Sequence, residues 1–274
     1  MHIAIEAKNV SKMLNQNLII NDLSFKIPKN SITLVKGING VGKSLTLKLI
    51  SKLQLPSNGN IYTDSKVSYA PDTFPKNIKV TVKQFLLFII NSNDQINKKQ
   101  VHTILQNYLD LFYLTEFQDL KLHRLSKGTL QKVNIIQCLL ADADILIFDE
   151  PFSGLDNKSE KRFINHLKQL VKTKTIILTA HDYNFENTVV THILNLDDYT
   201  FKSISKQDTQ KLIIVQSHKQ NHNNLIMANN EDSIVSTIKI SDNKLAIQVY
   251  KSKSNLVIQN LIDYNYEIIE VKDL

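Results

Sequence analysis

At 274 residues, with 42% apolar and 22% charged side chains, the chain has the makings of one large globular domain, alone or with a small appendage, and it holds no long polar tract that would suggest disorder or a fibre. Its longest apolar run, Phe85–Ile90, falls far short of the roughly 18 to 20 residues that cross a bilayer, so no membrane span is expected. The net charge of +7 resides almost wholly in residues 1–200 and admits nucleic acid, anionic lipid or phosphate ligands, but the lysines are scattered and select none of them. The lone cysteine, Cys138, excludes an internal disulfide and a cysteine-rich metal site; a packing role in a reducing compartment is expected. The start Met1-His2-Ile3-Ala4-Ile5-Glu6 lacks the basic, apolar and small-residue pattern of a secretory signal, which predicts a cytosolic protein.

Only six glycines are used, and three fall within Gly37-Ile38-Asn39-Gly40-Val41-Gly42-Lys43-Ser44. A short β-branched strand, Ser31–Val35, enters this segment, and a helix from Ser44 to Leu53 leaves it, so the phosphate-loop pattern occurs in its proper strand–loop–helix context. The chemistry explains the spacing. Glycines let successive backbone N–H groups converge on phosphate oxygens while the new helix presents its positive dipole end to the same anion. Through Leu45 the segment is therefore expected to hold a nucleotide. Lys43 supplies a point charge for the β and γ phosphates, and Ser44 a hard oxygen for Mg²⁺.

Next in the chain, Val67–Asp72 contains a strand, and Val82, Phe85, Leu86, Ile89 and Ile90, then Val101, Ile104, Leu105, Tyr108 and Phe112, recur at helical spacing around the polar turn Asn91–Gln95. Ile145-Leu146-Ile147-Phe148-Asp149-Glu150-Pro151 reads as a buried parallel strand that ends in two carboxylates, at the edge where open α/β sheets bind ligands. With a phosphate loop present, Asp149 is expected to hold Mg²⁺ and Glu150 to orient and polarise the attacking water.

Five ordered segments then carry a family resemblance: the phosphate loop, Leu125-Ser126-Lys127-Gly128, the Asp149–Glu150 strand, Ser153-Gly154-Leu155-Asp156 and Thr179-Ala180-His181-Asp182. From about Ile5 to Leu196 the chain resembles an ABC-type ATPase. Five of the six glycines are motif glycines, and Gly59 is expected in the turn after the first helix. The resemblance implies a P-loop NTPase fold of the α/β class: a mostly parallel sheet over residues 1–200, with an inserted helical subdomain at about 75–140. It further implies ATP and Mg²⁺ as cofactors and hydrolysis as the activity. ATP would be sandwiched in a head-to-tail dimer, homo- or heteromeric, between one subunit's phosphate loop and the signature segment Leu125, Ser126, Lys127 and Gly128 of the other. His181 would touch the γ-phosphate, and Asp156 would couple the two sites.

Several positions depart from the family pattern. Asp72 stands where a metal-contacting Gln is common and is itself a candidate Mg²⁺ contact, and Leu14 stands where an adenine-stacking aromatic is usual. Lys127 replaces a signature glycine, Thr129 a Gln, and Leu45 a hydroxyl residue, none of which the chemistry requires. Phe74 and Phe85 are candidates for contacting a helix of a membrane subunit, although Phe85 is assigned to the core first.

Beyond Leu196 a polar linker holds one strand around Leu212–Val215. Two strands, Ile234–Ile240 and Leu245–Tyr250, a helix over Asn255–Ile262 and a strand over Tyr266–Val271 follow. Residues 201–274 thus form a small α+β extension similar to those of ABC exporter ATPases. The expected protein is the ATPase subunit of an ABC transporter, an exporter of peptides, drugs or lipids, peripheral on the inner face of the cell membrane through integral membrane subunits, with no nucleic-acid partner. The alternatives are a soluble ABC-type ATPase acting on ribosomes, nucleic acid or cofactor assembly, and a nucleotide-binding regulatory module without turnover.

Overall fold

Two long strands, β1 (Ile3–Leu14) and β2 (Asn17–Pro28), pair antiparallel across a two-residue turn in which Asn15 and Gln16 take φ of 48° and 67°. Positive φ at both turn positions matches the twist of a tight hairpin. The strand β3 (Ile32–Lys36), the helix α1 (Lys43–Ile50) and two further strands, β4 (Asn58–Tyr62) and β5 (Val67–Ala70), follow. After these come α2 (Val82–Asn91), α3 (Val101–Leu111), α4 (Lys127–Leu140), β6 (Ile145–Phe148), α5 (Asn157–Leu170), β7 (Thr175–Thr179), β8 (His192–Asn195) and β9 (Thr200–Ser203). The computed structural model describes residues 2–75, 77–180, 189–204, 210–217, 233–241 and 243–274, which divide into the units Met1–Ser203 and Ile204–Leu274.

In the larger unit β4 joins the hairpin to make the antiparallel sheet β2-β1-β4. The main sheet has the order β5-β6-β7-β3-β8-β9 and is parallel except where β9 turns back along β8. Every residue of β6 and β7 is buried, as expected of strands covered on both faces. Ile5, Leu23, Phe25 and Ile27 of the hairpin pack with Leu47, Leu49 and Ile50 of α1 and with Ile147, Ile177 and Leu194 of the main sheet. Because β3, β6 and β7 run in one direction, the segments that follow them emerge at one edge of the sheet. The phosphate loop, Asp149–Glu150 and Ala180 are those segments.

α1 stops at Ile50 rather than Leu53. Ser51 caps it, and Lys52 leaves the helix at φ 60°. Gly59 lies within β4 rather than in a turn, where a Cβ would come 2.2 Å from the Asn9 carbonyl of β1. A capping box between Thr81 and Gln84 starts α2, whose buried stripe is Val82, Leu86 and Ile90. That stripe turns Phe85 aside, half-buried and edge-on to Phe74 at 5.6 Å, and leaves Phe88 68% exposed; Phe85 is therefore not the core residue that its spacing suggests. Cys138 is fully buried, and burial pushes its thiol pKa up to about 12, in keeping with a packing role.

The smaller unit consists of β10 (Gln210–Ser217), β11 (Ile234–Ser241), β12 (Lys244–Tyr250), α6 (Ser254–Asp263) and β13 (Tyr266–Asp273), with the antiparallel order β11-β12-β10-β13. β12, α6 and β13 form a split βαβ unit around β10. Val257 and Leu261 of α6 close over Ile213, Val215, Ile247 and Val249.

One ring ties the helical layer to that edge of the sheet. Phe163 of α5 is fully buried against Phe148 at 5.3 Å, Phe152 at 5.6 Å and Phe112 at 5.9 Å. Phe163→Ala is expected to lower the unfolding free energy by about 3–5 kcal/mol, measured by urea denaturation, through lost burial and the cavity left behind.

Candidate nucleotide site

The loop between β3 and α1 has the backbone that its glycines allow. Gly40 and Gly42 take φ of 85° and 109°, in the left-handed region. Gly42 caps α1 without a side-chain hydrogen bond, and no acidic residue occupies the first turn. By contrast α2, α4 and α5 start with Thr81, Ser126 and Asp156, whose side chains accept backbone N–H groups. The first N–H groups of α1 are thus left for a ligand, and the helix dipole favours an anion there. The Lys43 ammonium lies across the loop and donates to the Gly37 carbonyl at 2.8 Å and the Ile38 carbonyl at 3.3 Å. Leu45 is buried, so its contribution at the loop is its backbone. Ile38 is 70% exposed, and its N–H donates to the Asp197 carboxylate at 3.0 Å. Asp197 also lines a cavity of about 560 Å³ with Lys36, Gly37, Asn195 and Lys202. Sequence reasoning missed this anchor because an aspartate in a turn between strands carries no special signal.

At the end of β6 a buried carboxylate is fully engaged. Asp149 is 2% exposed; its Oδ1 accepts the Thr179 hydroxyl at 2.8 Å and its Oδ2 the Tyr69 hydroxyl at 3.0 Å. Burial, then the Asp149 charge, push the Tyr69 phenol well above its ordinary pKa, which keeps it a donor. Glu150 is also buried and takes φ of 49°, unusual for a residue with a Cβ. Its N–H donates to the Thr179 hydroxyl at 2.8 Å, and its carbonyl accepts from Gln131 Nε2 at 3.2 Å.

α4 carries three amides that sequence reasoning passed over. Besides Gln131, Asn134 Nδ2 donates to the Pro71 carbonyl at 2.6 Å and Gln137 Nε2 to the Tyr69 carbonyl at 3.1 Å. Their spacing of three residues, which puts them on one side of a helix, was the available signal. At the head of α4, Ser126 Oγ accepts the Thr129 N–H at 3.1 Å and shares a hydrogen bond of 2.8 Å with the Thr129 hydroxyl. Leu125 precedes the cap, and Lys127 is exposed. Gly128 lies against the next motif, because a Cβ there would come 2.3 Å from the Gly154 carbonyl. Asp156 caps α5 and pairs with Lys132 of α4 at 2.7 Å. Lys132 and the Ser159 hydrogen bonds hold its carboxyl well below the ordinary range. That cap therefore contributes at neutral pH and is lost only as pH falls below the normal carboxylate range. Asp72 is exposed beyond β5, and Leu14 is exposed at the tip of β1. His181 lies outside the described residues.

The chain matches the ABC transporter family over residues 20–153. It is 34% identical over 185 residues to the zinc import ATP-binding protein ZnuC of Rickettsia bellii, covering 65% of this chain and 76% of that protein. The chain belongs to the ATP-binding subunits of ABC transporters. With the petrobactin import ATP-binding protein YclP of Bacillus subtilis it shares 30% identity over 210 residues, 70% of this chain and 82% of that one. Its fold is that of the solved ATP-binding subunit of an ABC transporter, with a TM-score of 0.66, 21% identity, and coverage of 73% of this chain and 90% of that one. It is likewise that of the ATP-binding cassette MJ0796 bound to ADP and phosphate, with a TM-score of 0.64, 21% identity, and coverage of 73% and 99%.

Membership of this family makes the protein an ATPase whose cofactors are ATP and Mg²⁺. The residues present fit that pair: an uncapped helix N-terminus with an adjacent lysine suits phosphate, and hydroxyl and carboxylate oxygens are the hard donors that Mg²⁺ takes. Across the described residues no helix is long and apolar enough to cross a membrane.

The contact between Gly128 and Gly154 makes a direct test possible. Gly128→Ala is expected to destabilise the protein by about 1–3 kcal/mol in urea unfolding, because backbone must move, whereas Lys127→Ala on the exposed side should stay within about 0.5 kcal/mol.

Proposed function

We propose that this subunit binds ATP through Gly37–Leu45, hydrolyses it with Glu150 as general base, and by ATP-dependent dimer closure drives separate integral membrane subunits. The observation that carries this proposal is the convergence, at one sheet edge, of an uncapped helix N-terminus with Lys43, the pinned Asp149 carboxylate and the main chain of Glu150. Backbone N–H groups of Gly40, Val41, Gly42, Lys43, Ser44 and Leu45 receive phosphate oxygens, and the Lys43 ammonium leaves the loop carbonyls to meet the β and γ phosphates. Mg²⁺, when bound, neutralises charge on those phosphates, with the Ser44 hydroxyl and the Asp149 carboxylate as its protein oxygens. Glu150 accepts a proton from the attacking water. His181, the residue after Ala180 in the sequence, steadies the γ-phosphate. Ser126, Lys127 and Gly128 of a second ATPase subunit complete the site, with Asp156 coupling the two halves.

In such a complex the subunit lies on the inner face of the cell membrane, held by membrane subunits. Phe74, Phe85 and the exposed Phe88 offer one apolar patch for that contact. Export was the direction expected from the C-terminal extension. Relatives named for import of zinc, petrobactin and spermidine or putrescine support import instead, although the similar ATP-binding protein Uup carries no transport direction in its name.

Lys43→Ala is expected to weaken binding of a fluorescent ATP analogue by about 10- to 100-fold, the worth of one charge-assisted contact. Mild-detergent purification of the tagged full chain from its own cells is expected to co-purify a multi-spanning membrane protein. Co-purification of ribosomes or nucleic acid in its place would overturn the transporter assignment.

A further inference from the structure

Glu150 stands on a backbone that a residue with a Cβ avoids: at φ 49° its Cβ crowds the neighbouring carbonyl. Such conformations persist where the surroundings over-determine them. Here side chains from two elements grip both main-chain groups of the residue. From β7 the Thr179 hydroxyl accepts the Glu150 N–H at 2.8 Å, and from α4 the Gln131 amide donates to the Glu150 carbonyl at 3.2 Å.

Neither grip can reverse its polarity. The single hydrogen of the Thr179 hydroxyl is committed to Asp149 Oδ1 at 2.8 Å, so only its lone pairs face the Glu150 N–H. Gln131 Oε1 accepts from Asn134 Nδ2 at 3.2 Å, which turns the Gln131 NH₂ toward Glu150. Asn134 is oriented in turn by the Pro71 carbonyl at 2.6 Å. A continuous chain of hydrogen bonds thus runs from the end of β5 through Asn134 and Gln131 to Glu150, and through Thr179 to Asp149. Gln131 and Thr179 are both buried, so water does not compete for these groups.

We propose that Gln131 and Thr179 are positioning residues for ATP hydrolysis: they clamp the Glu150 peptide in its left-handed conformation and thereby set the direction of its carboxylate. The clamp rests on Glu150 as the general base. Without it the peptide relaxes toward the right-handed region and swings the carboxylate away from the water it serves. A misplacement of about 1 Å at a reacting group costs on the order of 100-fold in rate.

The test uses the full chain, with phosphate release measured against ATP concentration and binding of a fluorescent ATP analogue measured in parallel. Gln131→Met keeps the volume and removes the donor; Thr179→Val keeps the shape and removes the hydroxyl. Each is expected to lower kcat by on the order of 100-fold, Gln131→Met with KM and analogue affinity within about twofold, and Thr179→Ser to restore turnover. Adding Gln131→Met to Glu150→Gln is expected to leave the residual rate unchanged, since the clamp acts only through the carboxylate. Gln131→Met carries the test alone if Thr179→Val fails to fold. If Glu150→Gln stops turnover while Gln131→Met turns over within about twofold of wild type, or loses ATP affinity in step with rate, the clamp is overturned. Near wild-type turnover by Glu150→Gln itself would instead overturn the general-base assignment on which the clamp rests.

Discussion

A carboxylate at the end of a wholly buried strand is tolerable only when its oxygens are hydrogen-bonded, and this edge of the larger unit is arranged around how Asp149 meets that condition. The partners come from the two strands that flank β6, Tyr69 from β5 and Thr179 from β7. Sheet order therefore decides which side chains can serve the carboxylate. The Thr179 hydroxyl then passes the constraint along the chain by accepting the next N–H, that of Glu150. α4 adds a second frame, its amides holding the carbonyls of Tyr69, Pro71 and Glu150. The Asp149 carboxylate is thus fixed by two hydroxyls, and the Glu150 main chain by a hydroxyl and an amide.

Helix starts sort the same region by task. α1 begins at a glycine that offers no oxygen to its own N–H groups, and Lys43 lies over the loop. α4 begins at Ser126, whose oxygen already serves the Thr129 N–H, so the group it has left to offer a ligand is a hydroxyl hydrogen shared with Thr129. α5 begins at Asp156, whose charge is absorbed by Lys132 and the helix end. Among these three starts the one at α1 is open to an anion, while those of α4 and α5 are closed by their own side chains. The close backbone approach of Gly128 and Gly154 joins that segment to the loop leading into Asp156.

Much of this was legible in the sequence because the signals were local. A phosphate loop between a β-branched strand and a helix, and four apolar residues ending in Asp149–Glu150, each fix their own surroundings and appear where they were expected. The strands and helix of residues 234–271 were readable for the same reason, and their ends fall within two residues of the expected bounds. What escaped depends on tertiary neighbours. The β1–β2 hairpin turns on Asn15–Gln16 rather than an Asn–Gly pair, and its two long strands went unread. Phe85 was misplaced because helical spacing gives a stripe but not its centre, which Leu86 occupies. The left-handed Glu150 and its clamp could not be read at all, since no residue type at that position calls for positive φ.

Glu150 is where the account is most exposed, and the decisive measurement is steady-state phosphate release by wild type and Glu150→Gln, with bound ATP and dimer mass followed in the same samples. The account predicts that the variant binds ATP as wild type does, accumulates as an ATP-bound dimer and releases phosphate at about 1% of the wild-type rate or less, the loss expected when a general base is removed. Phosphate release by the variant at a rate close to that of wild type would contradict it.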